Sequence, residues 1–422
     1  MSLRWATVLE VLDTRDDLQI VQVRLAGAAD AAESVASADT PNLPNIPNIP
    51  NIPDAARKLR ACNYLALGPR VAIGQRVLVN TTGIDLQLGT GGVVFILPGE
   101  ASPDSISANE ASPDPSSLSA DPSSALRQEL SASLDASSAP PDTTAYGHIV
   151  KLRYTPLQTA VDSVEEQDSP FHALLQNAES LAGMPVVCCE LHSQMPLVAA
   201  AIKHAAPEAT VAYLMNDAAA LPLAFSDLLP RCVEAGLIDR TISSGQAFGG
   251  QFEAINLYSG LLTAHVVAKA DVVIVAPGPG VVGSGTALGH SGTAQGEALN
   301  ATAALGGTPL AVLRLSWQDR RERHRGLSHH TRTVLGRVCL CEVWLPLPGN
   351  LSASQTREVM QQMEESGILA KHALVPVFAE LDAIDLRGVE VTTMGRGRSD
   401  DPAFFSAAFA AGIQAAAELK TP

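Results

Sequence analysis

Three groups of residues have the types and spacing to do chemistry. The first is the run Pro277-Gly278-Pro279-Gly280-Val281-Val282-Gly283-Ser284-Gly285-Thr286, which matches Gly-x-Gly-x-x-Gly at Gly278, Gly280 and Gly283. Glycines let backbone N–H groups approach an anion closely, and the hydroxyls of Ser284 and Thr286 would extend such a cradle. A dinucleotide fingerprint is not met. The run follows a late strand, it continues through Gly285, Gly289 and Gly292, and the next strand ends in Ser316 and Trp317 where an acid is needed. The lysine position of a nucleotide P-loop is Ser284. In Gly289-His290-Ser291-Gly292-Thr293, Thr293 stands where a hydrolase elbow needs glycine. What remains is a backbone-donor loop for an anion, or a tight turn with a packing role.

The second group is Ser244-Gly245-Gln246-Ala247-Phe248-Gly249-Gly250. If its strand neighbours that of the first loop, Ser244 and Gln246 would help clamp one ligand. The third is the basic segment Arg314–Arg337, with seven arginines plus His324, His329 and His330. Arginine forks suit phosphate and carboxylate, so Arg320, Arg325 and His330 join Gly278, Gly280, Gly283, Ser284, Gly285, Thr286, Ser244 and Gln246 as candidate ligand contacts. The competing reading is a solvated surface helix with Asp319 and Glu322 as local partners. Candidates for moving a proton are His192, Asp217 and His329. No metal site is expected: no Cys-x-x-Cys pair exists, and adjacent helical residues such as His329 and His330 point about a third of a turn apart. No cofactor can be named.

The elements that must position these residues follow from periodicity. Before residue 98, short β-rich runs (Trp5–Val11, Leu18–Leu25, 57–66, 70–73, 75–80, 92–97) with glycine turns predict a small barrel. A Pro/Asn-rich three-residue repeat interrupts it within 28–56. Residues 99–145, rich in Ser, Asp and Pro, read as a disordered linker, with eight acids against one base. Residues 146–422 alternate apolar strands with helices. Strands are expected at 184–191, 210–215, 240–244, 271–276, 308–316, 338–346 and 389–394, and helices at 196–204, 226–235, 252–269, 293–305, 352–366 and 402–419. That grammar predicts an α/β domain: a mostly parallel, open, Rossmann-like sheet with helices on both faces. Ligands on such sheets sit at the carboxyl ends of the strands. These ends deliver Glu190 and His192, Asn216 and Asp217, Ser244 and Gln246, the glycine loop, and Ser316–Asp319.

The formal net charge of −16 excludes an overall basic footprint for nucleic acid. No apolar run is long enough for a membrane span. The N-terminus lacks signal-peptide character, and six cysteines in so long a chain read as reduced thiols, so a cytoplasmic location is expected. A homo-oligomer is compatible with the sequence.

The stretch Tyr146-Gly147-His148-Ile149-Val150-Lys151-Leu152-Arg153-Tyr154-Thr155-Pro156-Leu157-Gln158 resembles an uncharacterised bacterial family, domain of unknown function 3866. The likeness continues through Ala276–Gly280, Gly326-Leu327-Ser328-His329-His330-Thr331 and Thr393-Met394-Gly395-Arg396. The resemblance implies a bacterial cytoplasmic protein and supplies no activity. It also implies that Lys151, Arg153, Gln158, His329 and His330 share a surface. Two functions stay open. One is binding of a small anionic metabolite, a phosphorylated one among the candidates, at the strand ends, with or without turnover. The other is a non-catalytic ligand-sensing or protein-interaction module.

Overall fold

The structure, a computed structural model, describes residues 2–15, 18–26, 58–65, 67–86, 93–98 and 147–419. The repeat-bearing insertion at 28–56 and the linker at 99–145 lie outside the described residues. The chain divides into two units: the described residues up to 98 together with His148–Val161, and the chain from Asp162 onward.

In the first unit, β1 (Leu3–Arg15), β2 (Leu18–Leu25), β3 (Lys58–Tyr64), β4 (Arg76–Asn80) and β5 (Val93–Ile96) close into a barrel of order β1-β2-β3-β5-β4. Alternation along each strand sends Ala6, Val8, Val21, Val23, Ala61, Val77, Val79, Val94 and Ile96 inward to a small apolar core. Irregularities after Val8 and Val11 bend β1, which pairs with both β2 and β4. Residues 70–73, expected as a strand, instead form the approach to a turn at Gly74, whose φ is 84°. A hairpin of β6 (Ile149–Lys151) and β7 (Thr159–Val161) belongs to this unit, and Asn80 Nδ2 donates to the carbonyls of Pro156 and Gln158 at 2.9 and 3.0 Å. Lys151 and Gln158 are buried here.

The second unit is built on an eight-stranded sheet. Its strands are β8 (Pro185–Cys188), β9 (Val211–Asn216), β10 (Arg240–Ser244), β11 (Phe252–Ala254), β12 (Val272–Pro277), β13 (Thr308–Ala311), β16 (Trp344–Pro348) and β17 (Ala373–Val377). The order is β11-β10-β9-β12-β8-β13-β16-β17, and every pairing is parallel. A two-stranded antiparallel piece, β14 (Leu315–Ser316) with β15 (Gly326–Leu327), stands apart. The central strands are apolar along their whole length because both faces are covered. Val186, Leu214, Val273 and Val275 face one core, and Val187, Val211, Tyr213, Ile274 and Ala276 the other.

Helices α1 (Met195–Ala205), α2 (Leu228–Glu234) and α7 (Pro402–Ala417) cover the second core. The first is covered by α3 (Leu257–Leu262), α4 (Ala294–Ala304) and α6 (Ala353–Glu365), with Val334 and Leu335 packing on it just after α5 (His329–Thr333). Connections toward β11 use one face and connections toward β17 the other, as a single crossover hand requires. Four expected elements differ. The helix expected at 252–269 opens with strand β11 and becomes helical only at Leu257, after the Asn256 cap. The strand at 308–316 breaks after Ala311, that at 338–346 starts only at Trp344, and 389–394 is not a strand. Among the described residues, no helix is long and apolar enough to cross a membrane.

Candidate functional site

The central strand β8 ends at Cys188, and the chain then turns. The Gln194 side-chain oxygen accepts from the backbone N–H groups of Glu190 (2.9 Å) and Leu191 (3.0 Å), which fixes the turn. Glu190 is thereby held fully buried between the ends of neighbouring strands. The next strand over, β13, leads to Arg314, whose Nη1 donates to Glu190 Oε1 at 2.7 Å. The chain makes an excursion from Trp317 to Arg325, and the β14–β15 pairing brings it back. On return, the N-H of Ser328 donates to the Arg314 carbonyl at 3.0 Å, and Ser328 Oγ caps α5 by accepting from His330 N. His330 Nδ1 then meets Glu190 Oε1 at 2.7 Å, and Thr331 Oγ1 donates to Glu190 Oε2 at 3.2 Å. Burial alone would raise the Glu190 carboxyl, but the Arg314 charge and the His330 hydrogen bond bring it down to about 2.

Within the excursion, Asp319 accepts from Arg321 N, Nε and Nη2 at 3.0, 2.9 and 2.8 Å. Against the effect of burial, these bonds hold its carboxyl well below the ordinary range. The tight turn and the short 3-10 helix Glu322–His324 send Arg321, Arg323 and His324 to one side. His324 Nδ1 bonds Ser328 Oγ at 2.8 Å. His290 stacks on His330 with ring centroids 3.8 Å apart and planes 5° apart, and His329 lies 4.3 Å from His330. Burial, with the charges of Arg314 and Arg321, pushes His324 down to about 3. Burial and the neighbouring His330 push His329 down to about 4. Both rings are therefore neutral at pH 7.

This cluster forms one wall of a cavity of about 820 Å³ at the strand ends. Arg314, Arg321, Arg323, His324 and His330 supply the polar side; Leu191, Phe225, Leu228, Val281 and Met394 supply the apolar side; and Gly280 and Gly283 form part of the rim. Phe225 and Met394, 61% and 66% exposed, put apolar groups at the mouth, where Asp227 and Arg323 are exposed too. Arg323 makes no ion pair among the described residues, whereas Arg314 and Arg321 pair with Glu190 and Asp319.

The expected site residues divide accordingly. Gly280, Gly283, His330 and His192 line the cavity, and His329 sits against the cluster. Gly278, Ser284, Gly285 and Thr286 do not line it. Ser284 and Thr286 bond each other at 2.9 Å and so stabilise their own turn. Ser244 and Gln246 lie at the end of β10, which β9 separates from β12, so the two glycine loops are not neighbours. Asp217 is exposed at the end of β9 and accepts from Gln246 N at 3.3 Å. Arg320 and Arg325 are exposed and off the cavity, whereas Arg321 and Arg323 line it.

His192 bonds at both nitrogens, with Nδ1 to Pro277 O at 3.0 Å and Nε2 to Ser226 Oγ at 2.7 Å, and burial lowers its pKa. It ties two loops together, Nδ1 donating to the Pro277 carbonyl and Nε2 accepting from the Ser226 hydroxyl. The loop Gly395–Asp401 is architectural too: Arg396 pairs with Asp401 at 3.1 Å, and Arg398 donates to the carbonyls of Leu381 and Ile384. Adjacent His329 and His330 were expected to diverge, yet their rings converge across the first turn of α5. Arg314, Arg321, Arg323 and His324 are residues of this cluster that are not among the candidate contacts, and the dense Arg/His content of 314–330 is their signal; Glu190 is placed at its strand end without a role.

A family model described as a protein of unknown function (DUF3866) matches residues 60–412, well over half of the 422-residue chain, so the chain belongs to that family. No curated protein and no solved structure matches it.

Proposed function

We propose that this member of the family binds a small anionic metabolite, bearing a phosphate or carboxylate on a partly apolar body, in the cavity at the carboxyl ends of β8, β12 and β13. One observation carries the reading: Arg323, a cation without an ion pair among the described residues, stands on the cavity wall of a chain whose net charge is −16. Guanidinium groups present a fixed fork of donors that suits these anions. Two further features support it. The carboxyl edge of a parallel sheet is where such folds hold ligands. The positive φ of Gly280, 97°, also keeps that backbone free of a side chain at the rim. Leu191, Phe225, Leu228 and Met394 would receive the apolar body. A cytoplasmic setting is part of this reading, since six cysteines in a chain of 422 residues fit reduced thiols.

The test is a thermal-shift panel of nucleotides, sugar phosphates, acyl-CoA compounds and carboxylates against wild type and Arg323→Ala. At a concentration about a hundredfold above its dissociation constant, a ligand stabilises by roughly 2.7 kcal/mol. A shift seen in wild type and reduced in Arg323→Ala supports the reading. A flat panel argues for the alternative, a protein-interaction module.

A further inference from the structure

Behind the cationic wall, three imidazoles converge in a way that anion binding does not require. Ring nitrogens of His324, His329 and His330 all lie within 4.8 Å of one another. We infer that these three residues form a site for one divalent transition-metal ion of the zinc class, held through their Nε2 atoms with a further coordination position open to the cavity.

The arrangement behind each ring supports this. A histidine that ligates a metal through one nitrogen almost always gives the other to a carboxylate, hydroxyl or carbonyl, which fixes its tautomer and raises its basicity. His330 Nδ1 is bonded to the fully buried Glu190 carboxylate at 2.7 Å. His324 Nδ1 is bonded to Ser328 Oγ at 2.8 Å. Both leave Nε2 as the donor. The third ring is more telling: His329 Nε2 is buried and has no hydrogen-bond partner. A buried polar atom without a partner is costly unless something occupies the position.

Spacing agrees. The ring centroids are 4.9 Å (His324–His329), 4.9 Å (His324–His330) and 4.3 Å (His329–His330) apart. Around one tetrahedral ion with Zn–N of about 2.0–2.1 Å, the centroids stand about 5 Å apart and the donor atoms about 3.3 Å apart. The donor atoms, all within 4.8 Å of one another, have to close by up to about 1.5 Å to reach that spacing. His290, stacked on His330, buttresses one ring. An all-imidazole set selects zinc, nickel, copper or iron over magnesium and calcium.

Arg314 and Arg321 are matched by Glu190 and Asp319, so of the arginines on this wall only Arg323 lacks an ion pair among the described residues. Three protein ligands with an open position is the pattern of reactive rather than structural zinc sites. His324 and His330 both line the cavity. A Cβ at Gly283 would lie 3.2 Å from His330 Nε2, so glycine there keeps the donor's surroundings clear.

The inference does not depend on the anion reading, because its test contains no organic ligand. The full chain, untagged and treated with chelator, is titrated with Co²⁺ and Zn²⁺ and followed by the cobalt visible spectrum and by metal analysis. The expected result is one ion per chain, with the intense absorption of four-coordinate cobalt. His329→Ala, a half-buried position with no protein partner for Nε2, and His324→Ala should each weaken binding at least as much as loss of a second-shell partner does, on the order of ten- to a hundredfold. Arg323 lines the same cavity but supplies no donor, so Arg323→Ala should bind metal at least as tightly as wild type does. Absence of stoichiometric binding would overturn the site. Binding unchanged in His329→Ala would do so too, even if His324→Ala failed to fold.

Discussion

Glu190→Gln separates an electrostatic account of the site from a packing account. The substitution keeps the side chain's shape and removes its charge. In the wild-type protein the carboxylate is fully buried, accepts from Arg314 and His330 at 2.7 Å each, and is held at about 2 against an ordinary 4.5. A displacement of that size corresponds to about 3 kcal/mol of preference for the charged form in the folded state. The figure agrees with the roughly 3–5 kcal/mol lost when one partner of a buried pair is removed. Asp319, 3.7 Å from Arg314 Nη2, is the only other acid paired with that arginine among the described residues.

Urea unfolding of the full chain with chelator present, which removes any metal contribution, should therefore place Glu190→Gln about 3 kcal/mol below wild type at pH 7. The sign of the pH dependence follows from a lowered folded-state pKa. The stabilisation is complete above about 4.5 and is lost as pH falls toward about 2. The gap between the two proteins should thus narrow below pH 4.5. Equal stability at pH 7, or a gap that widens in acid, would refute the reasoning.

His324 carries the opposite linkage. Its folded-state pKa, about 3 against 6.5, means that the unfolded chain takes up a proton the folded one refuses. Stability should fall by about 1.4 kcal/mol per pH unit from this group as pH drops below about 6.5, and urea midpoints of His324→Asn should lack that share of the slope. His192→Ala should cost about 1–3 kcal/mol by leaving the Pro277 carbonyl and Ser226 short of a partner. Unfolding at pH 7 checks this, and unchanged stability would contradict the structural role given to His192. Gly280→Val should strain a backbone whose φ is 97° by about 1–3 kcal/mol and abolish the ligand-induced thermal shift. A variant that melts and binds like wild type would show the loop to be mere connection.

Much of the fold is legible because its signals are local and redundant. Val272–Pro277 is an uninterrupted apolar strand buried on both faces, and Ser352 heads α6 with a reciprocal cap to Gln355. The barrel follows from alternation and glycine turns. Signals fail where tertiary context overrides a run. Phe252–Ala254 carries helix-compatible residues but pairs with β10, and Thr308–Ser316 breaks at Val312 because Arg314 must turn toward Glu190. Ala373–Val377, half-exposed on the sheet edge, carries too weak a pattern to be seen.

The site was legible by neighbourhood and not by residue. Sequence places chemistry at the strand ends and in the Arg/His segment. It does not reveal that Glu190 and His330, 140 residues apart, share a hydrogen bond. Nor does it show that Arg321 and Arg323 line the cavity while Arg320 and Arg325 do not. Such contacts depend on strand order, in which β8 lies between β12 and β13 although β9, β10 and β11 intervene in the chain.

The claim that the cavity holds an anion is tested most directly by calorimetric titration of the strongest panel ligand into wild type and Arg323→Ala at two salt concentrations. A hydrogen bond to a charged group contributes about 1.5–3 kcal/mol. The account therefore predicts that the variant binds on the order of ten- to a hundredfold more weakly, and that it loses part of the salt dependence seen in wild type. Equal affinity and equal salt dependence in the two proteins would contradict it.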